Sequence, residues 1–596
     1  MNKKQQTMDS KQKTISRDQE SIKKQQNSIS DIVNTLLKNR GVKTVEEKKD
    51  FLNSDINKIT PELVGISKEE LKKTIKRINS AIKNKEQIVV FGDYDADGLC
   101  ASAILWETLN KAGAKVLPYI PSRLEEGYGL SKTSILNLKS KILNPKLIIT
   151  VDNGITANEA VEFAIKEGID VIITDHHLLP KKLPKAYSII HTTKLAGVGV
   201  AWILAHEFKV QDSKLRARID DNYLDLVAIA TVADLVPLVG ANRALVKFGL
   251  EALRNTKRVG LLELFEEAGI EISEIGTYKI GHIVVPRLNA AGRIGDALDS
   301  LRLLCTKDKK RAQLIAGKLG LINRERQVLT EESTENARTI INNQKTKNKE
   351  QNLKDKKLIL VSDESYRQGI IGLIAGRLSE EFYRPAIVIS KGKIISKASA
   401  RSVKGFNIIE FIRNVEEFLV NAGGHPMAAG FTVETVNLPI IEKKFHKLAE
   451  KLIKDSHLIR KQRIDCKIPL SIVSDQLYEA IKKLEPFGMG NPLPVFESIA
   501  VIEDMRNVGQ DSKHLRLKFK VKSEKLKVNS KFSSKRSSFS EAAIIDGIGF
   551  GIGEISSKLS IGETVNVIYS LDQNVWNGDK RLQLKIKTIK SVRESS

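Results

Sequence analysis

Apolar and polar positions along this chain follow three rhythms in turn. Residues 28–85 carry helical spacing (Ile32, Val33, Leu36, Leu37, then Leu71, Ile75, Ile78, Ile82), which predicts a helical lead-in. Short apolar runs at 88–91, 147–151 and 171–173 then alternate with helical stretches at 101–112 and 157–167. Strands separated by helices predict βαβ units and a parallel sheet. Further helices are expected at 223–238 and 244–253, and 309–343 reads as one long amphipathic helix entering the charged, Asn-rich run 341–357. Beyond it, strands at 357–361, 386–389 and 393–396 with helices at 369–381 and 408–415 predict a second α/β domain. The stretch 460–596 alternates with period two at 514–521, 564–571 and 581–589, as a small β-barrel would, interrupted by a Ser/Lys-rich loop at 522–540.

A chain of 596 residues exceeds one hydrophobic core, and 41% hydrophobic residues suffice to bury several. The expected division is a disordered basic tail 1–27, the lead-in 28–85, a first α/β domain 86–308, the connecting helix 309–343, a linker 344–357, a second α/β domain 358–455, and the barrel 460–596 with its insertion 522–540. No stretch approaches the ~20 apolar residues of a membrane span, and the first residues hold no apolar segment for export. Cys100, Cys305 and Cys466 are isolated, which fits a reducing cytoplasm better than a disulfide framework or zinc ribbon. The net charge of +25 points toward a polyanion. Segments 1–27, 341–357 and 522–540 carry +4, +4 and +5 of it, however, so charge alone does not separate a nucleic-acid footprint from solvated linkers.

Chemistry decides more. Three apolar runs end directly in acidic residues: VVFGDYDADG (89–98), IITVDNG (148–154) and IITDHH (172–177). In a parallel sheet the strand C-termini share one edge, so Asp93, Asp95, Asp97, Asp152, Asp175, His176 and His177 converge there. Carboxylates so crowded repel unless cations neutralise them, and oxygen ligands with imidazole suit Mn²⁺ or Mg²⁺. A dinuclear centre is expected. Asp234, a lone acid in the apolar stretch ATVADLVPL, is a further candidate ligand, expected inside a helix. Singly, each piece has a plainer reading: Asp152 as a helix cap, the histidines as surface or core groups, Asp234 as a salt-bridge partner. Asp93, Asp95, Asp97 and Gly98 also imitate an EF-hand opening, but Ile104 stands where its bidentate Glu belongs.

These four segments, in this order, resemble the DHH phosphoesterase family, and within it the single-strand-specific 5′→3′ exonucleases. PSRLEEGYGL (121–130), LAGVGVAW (195–202), VPRLNAAGRIGD (285–296), SARSVKGF (399–406), GGHPMAAGF (423–431) and PFGMGNPLPVF (486–496) extend the resemblance from about residue 30 to 590. It implies that Asp93, Asp95, Asp97, Asp152, Asp175, His176 and Asp234 form a two-ion metal site. It further implies that Asp97, Asp175, His176 and His177 serve catalysis, releasing 5′-mononucleotides from single-stranded DNA in recombination and repair. Of these, Asp93 and His177 are expected in supporting positions. Arg123, Tyr128, Arg287, Arg293, Ser399, Arg401, Ser402, Gly424 and His425 are the candidate phosphate and DNA contacts.

The terminal segment resembles the family's OB-fold, with Phe487, Arg516, Lys518 and Trp576 as suggestive contacts. Implied partners are single-stranded DNA, a RecQ-type helicase and a single-strand-binding protein, with a monomer expected. One departure stands out: Tyr366-Arg367-Gln368-Gly369 replaces the usual W-H-x-G, so any acid/base role of that His is lost while phosphate contact survives. The rival enzymatic reading is a phosphodiesterase of short oligonucleotides or cyclic dinucleotides, which needs no barrel. A non-catalytic scaffold is disfavoured because every ligand position is filled, and a class II inorganic pyrophosphatase leaves the last third unexplained.

Overall fold

The computed structural model describes residues 28–123, 125–141, 145–210, 223–347, 356–521, 544–576 and 579–592. The basic tail 1–27 and the insertion 522–540 lie outside them. The chain forms two units: Asn57–Val236 with Phe248–Lys461, and Met1–Ile56 with Pro237–Lys247 and Gln462–Ser596. No helix among the described residues is long and apolar enough to cross a membrane.

In the first unit, five parallel strands run β1 Gln87–Phe91, β2 Val116–Tyr119, β3 Pro145–Val151, β4 Asp170–Asp175 and β5 Ser188–His191, in the order β2-β1-β3-β4-β5. The central strands are buried along their length, because helices cover both faces, and so read as continuous apolar runs. The order reverses between β1 and β3, the position where a crevice opens beyond the strand ends. Helices α1 Ala96–Lys111, α2 Gly197–Val210, α3 Leu224–Ala233 and α4 Val285–Ile294 belong to this layer. Helix α5, Lys309–Lys347, runs from it to a second sheet, whose Ile359 and Val361 pack against Ala337 and Ile341 of its last turns. That sheet comprises β6 Ile359–Asp363, β7 Ala386–Ser390, β8 Ile395–Arg401, β9 Leu419–His425 and β10 Ala428–Glu434, in the order β6-β7-β8-β10-β9, with helix α6 Ile371–Phe382 packed on it.

The other unit is built on β11 Cys466–Lys467, β12 Phe496–Val508, β13 His514–Lys520, β14 Ile544–Gly549, β15 Thr564–Trp576 and β16 Asp579–Ser591. Pairing of β12 with β15 closes β12-β13-β14-β16-β15 into a five-stranded barrel, in which only β14 and β16 run parallel. This is OB connectivity. The lead-in expected as one piece is divided. Ile29, Ile32, Leu36, Leu37 and Phe51 enter the barrel unit's core with Leu477, Leu515 and Tyr569, whereas the helix Lys68–Lys83 belongs to the other unit.

Arg243, 1% exposed, ties this unit together: Nε donates to Phe51 O (2.9 Å), Nη1 to Leu484 O (2.9 Å) and Nη2 to Glu485 O (2.6 Å). Its guanidinium lies 3.8 Å from the Phe51 ring centroid. Burial, then Arg40, lowers its pKa to about 10 against the opposing pull of Glu485. Arg243→Met strands three buried carbonyls and is expected to cost about 3 kcal/mol in denaturant melts; a loss under about 0.5 kcal/mol would contradict this role.

Candidate metal centre and phosphate cleft

The sharp turn after β1 sets the first ligands. Asp95 caps α1, its carboxylate accepting the Asp97 (2.9 Å) and Gly98 (3.1 Å) amides, and Asn289 Oδ1 of α4 accepts the Ala96 amide (2.7 Å). A Cβ on Gly98 would fall 2.6 Å from Asp93 N, so only glycine permits this turn. Asp97 points to the start of α2, accepting the Gly197 (2.7 Å) and Val198 (2.8 Å) amides. An anion belongs at a helix N-terminus. Gly197 is also obligatory, since its Cβ would sit 2.7 Å from the Asp152 carboxylate.

Asp152, at the end of β3, has φ +61° and does not cap the next helix, whose N-cap is Ala157. Asp234 is the C-cap of α3 rather than an interior residue; Leu235, with φ +57°, ends the helix there. His176 Nε2 lies 3.1 Å from Asp152 Oδ1, 3.6 Å from Asp234 Oδ2 and 3.9 Å from Asp97 Oδ2. Three ligand groups result: Asp152/His176/His177, Asp97/His176/Asp234 and Asp93/Asp95/Asp152, the atoms of each within 4.8 Å of one another. Asp152 and His176 each belong to two.

Asp93 and His177, expected in supporting positions, are thus within ligand groups, while Asp175 is in none. Its carboxylate is already engaged: Oδ2 accepts from Ile155 N (2.9 Å), and Oδ1 accepts from His176 N (2.7 Å) and His177 N (3.1 Å) and lies 2.7 Å from His177 Nδ1. A carboxylate held by so many donors orients the histidine.

Electrostatics fit divalent cations. Burial first, then neighbouring carboxylates, pushes Asp93, Asp97 and Asp152 well above the usual carboxylate range. Asp234 is pushed up to about 7 by burial and Asp95, against His177. Burial and then His177 lower His176 to about 4. Asp175 goes the other way: burial opposes its ionisation, but the His177 hydrogen bond and charge and the backbone amides outweigh burial and hold it low. Asp93 Oδ1, Asp152 Oδ1 and His176 Nε2 are buried without an aligned hydrogen bond, as metal-directed atoms would be.

Metal-stripped protein should therefore lose stability as pH rises. A carboxyl raised from 3.8 to about 7 is protonated in the fold, and that advantage is lost as pH climbs through the folded value. Melting of chelator-treated protein is expected to fall between about pH 4 and 7, and Mn²⁺ to raise it more at the upper end; a Mn²⁺ increment independent of pH would contradict the cluster.

Facing the centre, within the same unit, are residues of the second sheet. His425, ending β9, stacks on His177 with ring centroids 6.5 Å apart. Tyr128 Oη donates to Asp152 O (3.2 Å), lies 3.2 Å from His177 Nε2, and meets Tyr94 edge-on. Arg123 lies over Tyr94, 5.1 Å from its centroid. Arg401 donates to Ala400 O (2.9 Å) and Ser399 Oγ (3.3 Å), and Arg293 to Gly369 O (3.2 Å). Burial, then Arg123, Arg326 and Arg401, lowers Arg293 to about 10; burial and Arg123 lower Arg401. These guanidiniums repel one another, which a bound polyanion would relieve.

Two expected contacts are engaged elsewhere. Arg287 pairs with Glu267 (2.7 Å) and donates to Ile283 O (3.0 Å), because Glu267 and Arg324 form a network beside it. Ser402 Oγ donates to Phe406 O (2.7 Å), closing the loop after β8. Gly424, φ +140°, lies inside β9 against Ala428 and Ala429. Arg367 pairs with Glu325 of α5 at 3.2 Å. Sequence reasoning missed Arg326, Asn289 and the Gly197/Val198 amides; LAGVGVAW and LNAAG were noticed as motifs without a role for these atoms.

Three family models match: the DHH family N-terminal domain over 87–231, the DHHA1 domain over 355–455, and the RecJ OB domain over 464–530 and 521–588. The single-stranded-DNA-specific exonuclease RecJ of Bacillus subtilis is 35% identical over 93% of this chain and 67% of its own length. That of Escherichia coli is 28% identical over 94% and 95%. The structure of Thermus thermophilus RecJ in complex with Mn²⁺ superposes with a TM-score of 0.76 and 28% identity, over 94% of this chain and 76% of that one. A manganese-bound exonuclease RecJ gives 0.55 and 32%, over 65% and 96%. With its ordered acidic strand ends, its second sheet and its closed barrel, the chain belongs to the RecJ family of DHH phosphoesterases.

Proposed function

We propose that the chain is a metal-dependent exonuclease of single-stranded DNA, working 5′→3′ and releasing 5′-mononucleotides. The observation that carries this reading is the meeting, in one unit, of an acid/histidine cluster and the Arg123/Arg293/Arg401 cations. Asp93, Asp95, Asp97, Asp152, His176 and Asp234 would hold Mn²⁺ or Mg²⁺, as the Mn²⁺- and Mg²⁺-bound relatives support. Bound ions supply Lewis acidity to the phosphate and lower the pKa of an attacking water.

The chain's own groups do the positioning. Asp175 only accepts, so His177 Nδ1 carries the proton toward it and Nε2 faces Tyr128 and the scissile phosphate. Burial works against His177's charged form, but Asp175 outweighs it and holds its pKa above the usual value, so Nε2–H can donate to a developing phosphate charge. Arg123, Arg293, Ser399 and Arg401 orient the terminal phosphate, and His425 closes the opposite side.

The barrel offers its own grip. Phe550 is 57% exposed, with Lys585 Nζ 5.7 Å from its ring centroid, beside a groove of about 620 Å³ containing Arg516 and Arg581. Such a surface stacks bases and tracks a backbone. Phe487 instead packs against the barrel core, and Lys518 pairs with Asp504 (3.7 Å); the Trp576 side chain lies outside the described residues. A RecQ-type helicase and a single-strand-binding protein are the partners the family suggests, and a monomer the expected state.

Purified protein with Mn²⁺ should degrade 5′-labelled single strands first to labelled mononucleotide and spare blunt duplex. A label released first from the 3′ end would reverse the polarity, and preference for dinucleotides over long strands would favour the short-substrate reading.

A further inference from the structure

Tyr366-Arg367-Gln368-Gly369, where arginine stands in the place of the histidine the resemblance expects, has no role in the mechanism above. The segment joins β6 to α6 and is anchored on both sides of Arg367. Tyr366 is buried, its Oη donating to Asn336 Oδ1 (2.7 Å) and its carbonyl accepting from Ser390 Oγ. Gly369 O accepts from Arg293 Nη1 (3.2 Å), and a Cβ on Gly369 would fall 2.0 Å from Arg293 O. The segment therefore lies directly against an arginine of the phosphate cleft. Its backbone is fixed there, while the Arg367 side chain stays 55% exposed.

The partner of that side chain is the Glu325 carboxylate of α5, at 3.2 Å and itself 54% exposed. Next to Glu325 in the helix, Arg326 has its Nη2 on Asn323 Oδ1 (2.9 Å) and its Nε buried without an aligned hydrogen bond. After burial and Arg123, Arg326 is among the cations that push Arg293 down; burial and then Arg377 lower Arg326 itself. Glu325 thus sets one anion at the margin of a cationic strip. An exposed ion pair contributes little to stability. A guanidinium, always charged and with five donors, binds phosphate in the same fork geometry as carboxylate, whereas histidine offers fewer donors and is mostly neutral at pH 7. Exchanging carboxylate for phosphate at Arg367 therefore costs little.

We infer that Arg367 contacts an internal phosphodiester of the bound strand, and that Glu325 holds the guanidinium until that phosphate displaces it. The inference rests on the exonuclease reading and adds to it a device for telling substrate from product. A strand offers Arg367 an internal phosphate, whereas a released 5′-mononucleotide has only its terminal one, which Ser399 and Arg401 orient. The product leaves without this contact, and the shortened strand keeps it.

The test measures binding of a 5′-phosphorylated oligothymidylate to full-length, chelator-treated protein by anisotropy, so that no cleavage intervenes. Arg367→Ala is expected to weaken binding at least about fivefold and to lower the salt slope by about 0.7, the share of one phosphate on a single strand. Glu325→Gln should tighten binding about twofold or more, and this gain should vanish in the Arg367→Ala background. Replacing single internal linkages by uncharged methylphosphonate should cost wild type about fivefold at one position that costs Arg367→Ala nothing. Both side chains are exposed, so each variant should melt with wild type. Equal binding by Arg367→Ala, an unchanged salt slope, a Glu325→Gln gain that survives loss of Arg367, or a methylphosphonate profile identical in the two proteins would each overturn the contact. Those results would leave the exonuclease reading standing; wild-type protein that binds no single strand would sink both.

Discussion

Asp152→Ala and His176→Ala are expected to abolish phosphodiester hydrolysis, lowering kcat on the order of 10³–10⁴-fold or more, the several kcal/mol that metal-ion catalysis supplies. The reason is geometric. Each residue belongs to two of the three ligand groups, so its loss opens two groups at once. Asp95 and Asp234 each belong to one. Asp95→Asn and Asp234→Asn should therefore retain more activity, with weakened Mn²⁺ affinity as the main effect. Single-stranded DNA binding by all four, measured by anisotropy with chelator present, should stay within about threefold of wild type, because the cationic groups remain. Equal losses across the four variants would refute the sharing of ligands, and lost folding would make these residues structural.

The second large effect concerns Arg401. Arg401→Ala is expected to lower kcat/KM by roughly 10²-fold, the value of a charge-assisted contact held to the reacting phosphate. Stability should move in the opposite direction. In the free protein burial and Arg123 disfavour its charge, and Arg293 is pushed down to about 10 with Arg401 among the causes. Removing one cation relieves that repulsion, so the variant should melt no lower than wild type even though a half-buried side chain is lost. A variant both inactive and clearly less stable would mean that Arg401 holds the second sheet together and orients nothing.

Much of the centre was legible before any tertiary contact was known. Asp93, Asp152 and Asp175 follow apolar runs, and parallel strands with covered faces place their C-terminal ends on one edge by necessity. The roles within that edge were not legible. Whether Asp175 binds metal or orients His177 depends on three backbone amides, Ile155, His176 and His177, whose directions are set by loop geometry. Likewise, apolar neighbours made Asp234 look interior to a helix. The left-handed turn at Leu235 that makes Asp234 a cap has no marker in an Asp-Leu pair, since glycine is the usual residue there.

Arg287 and Ser402 show the same limit from the other side. Arginine and serine beside glycine-rich motifs are suited to phosphate, but Glu267 and the Phe406 carbonyl, distant or unremarkable in sequence, engage them instead. The lead-in carries helical periodicity throughout, yet periodicity says only that an apolar face exists, not what covers it. Tertiary structure assigned its first part to the barrel core and its second to the parallel sheet.

The sequence by itself determined the elements, the strand-end cluster of acids and histidines and its divalent-cation chemistry, because local periodicity and a fixed sheet edge require only nearest-neighbour physics. Distances between residues far apart in the chain settle the rest: which oxygens come within reach of one another, which carboxylate the amides engage, and which arginines crowd together.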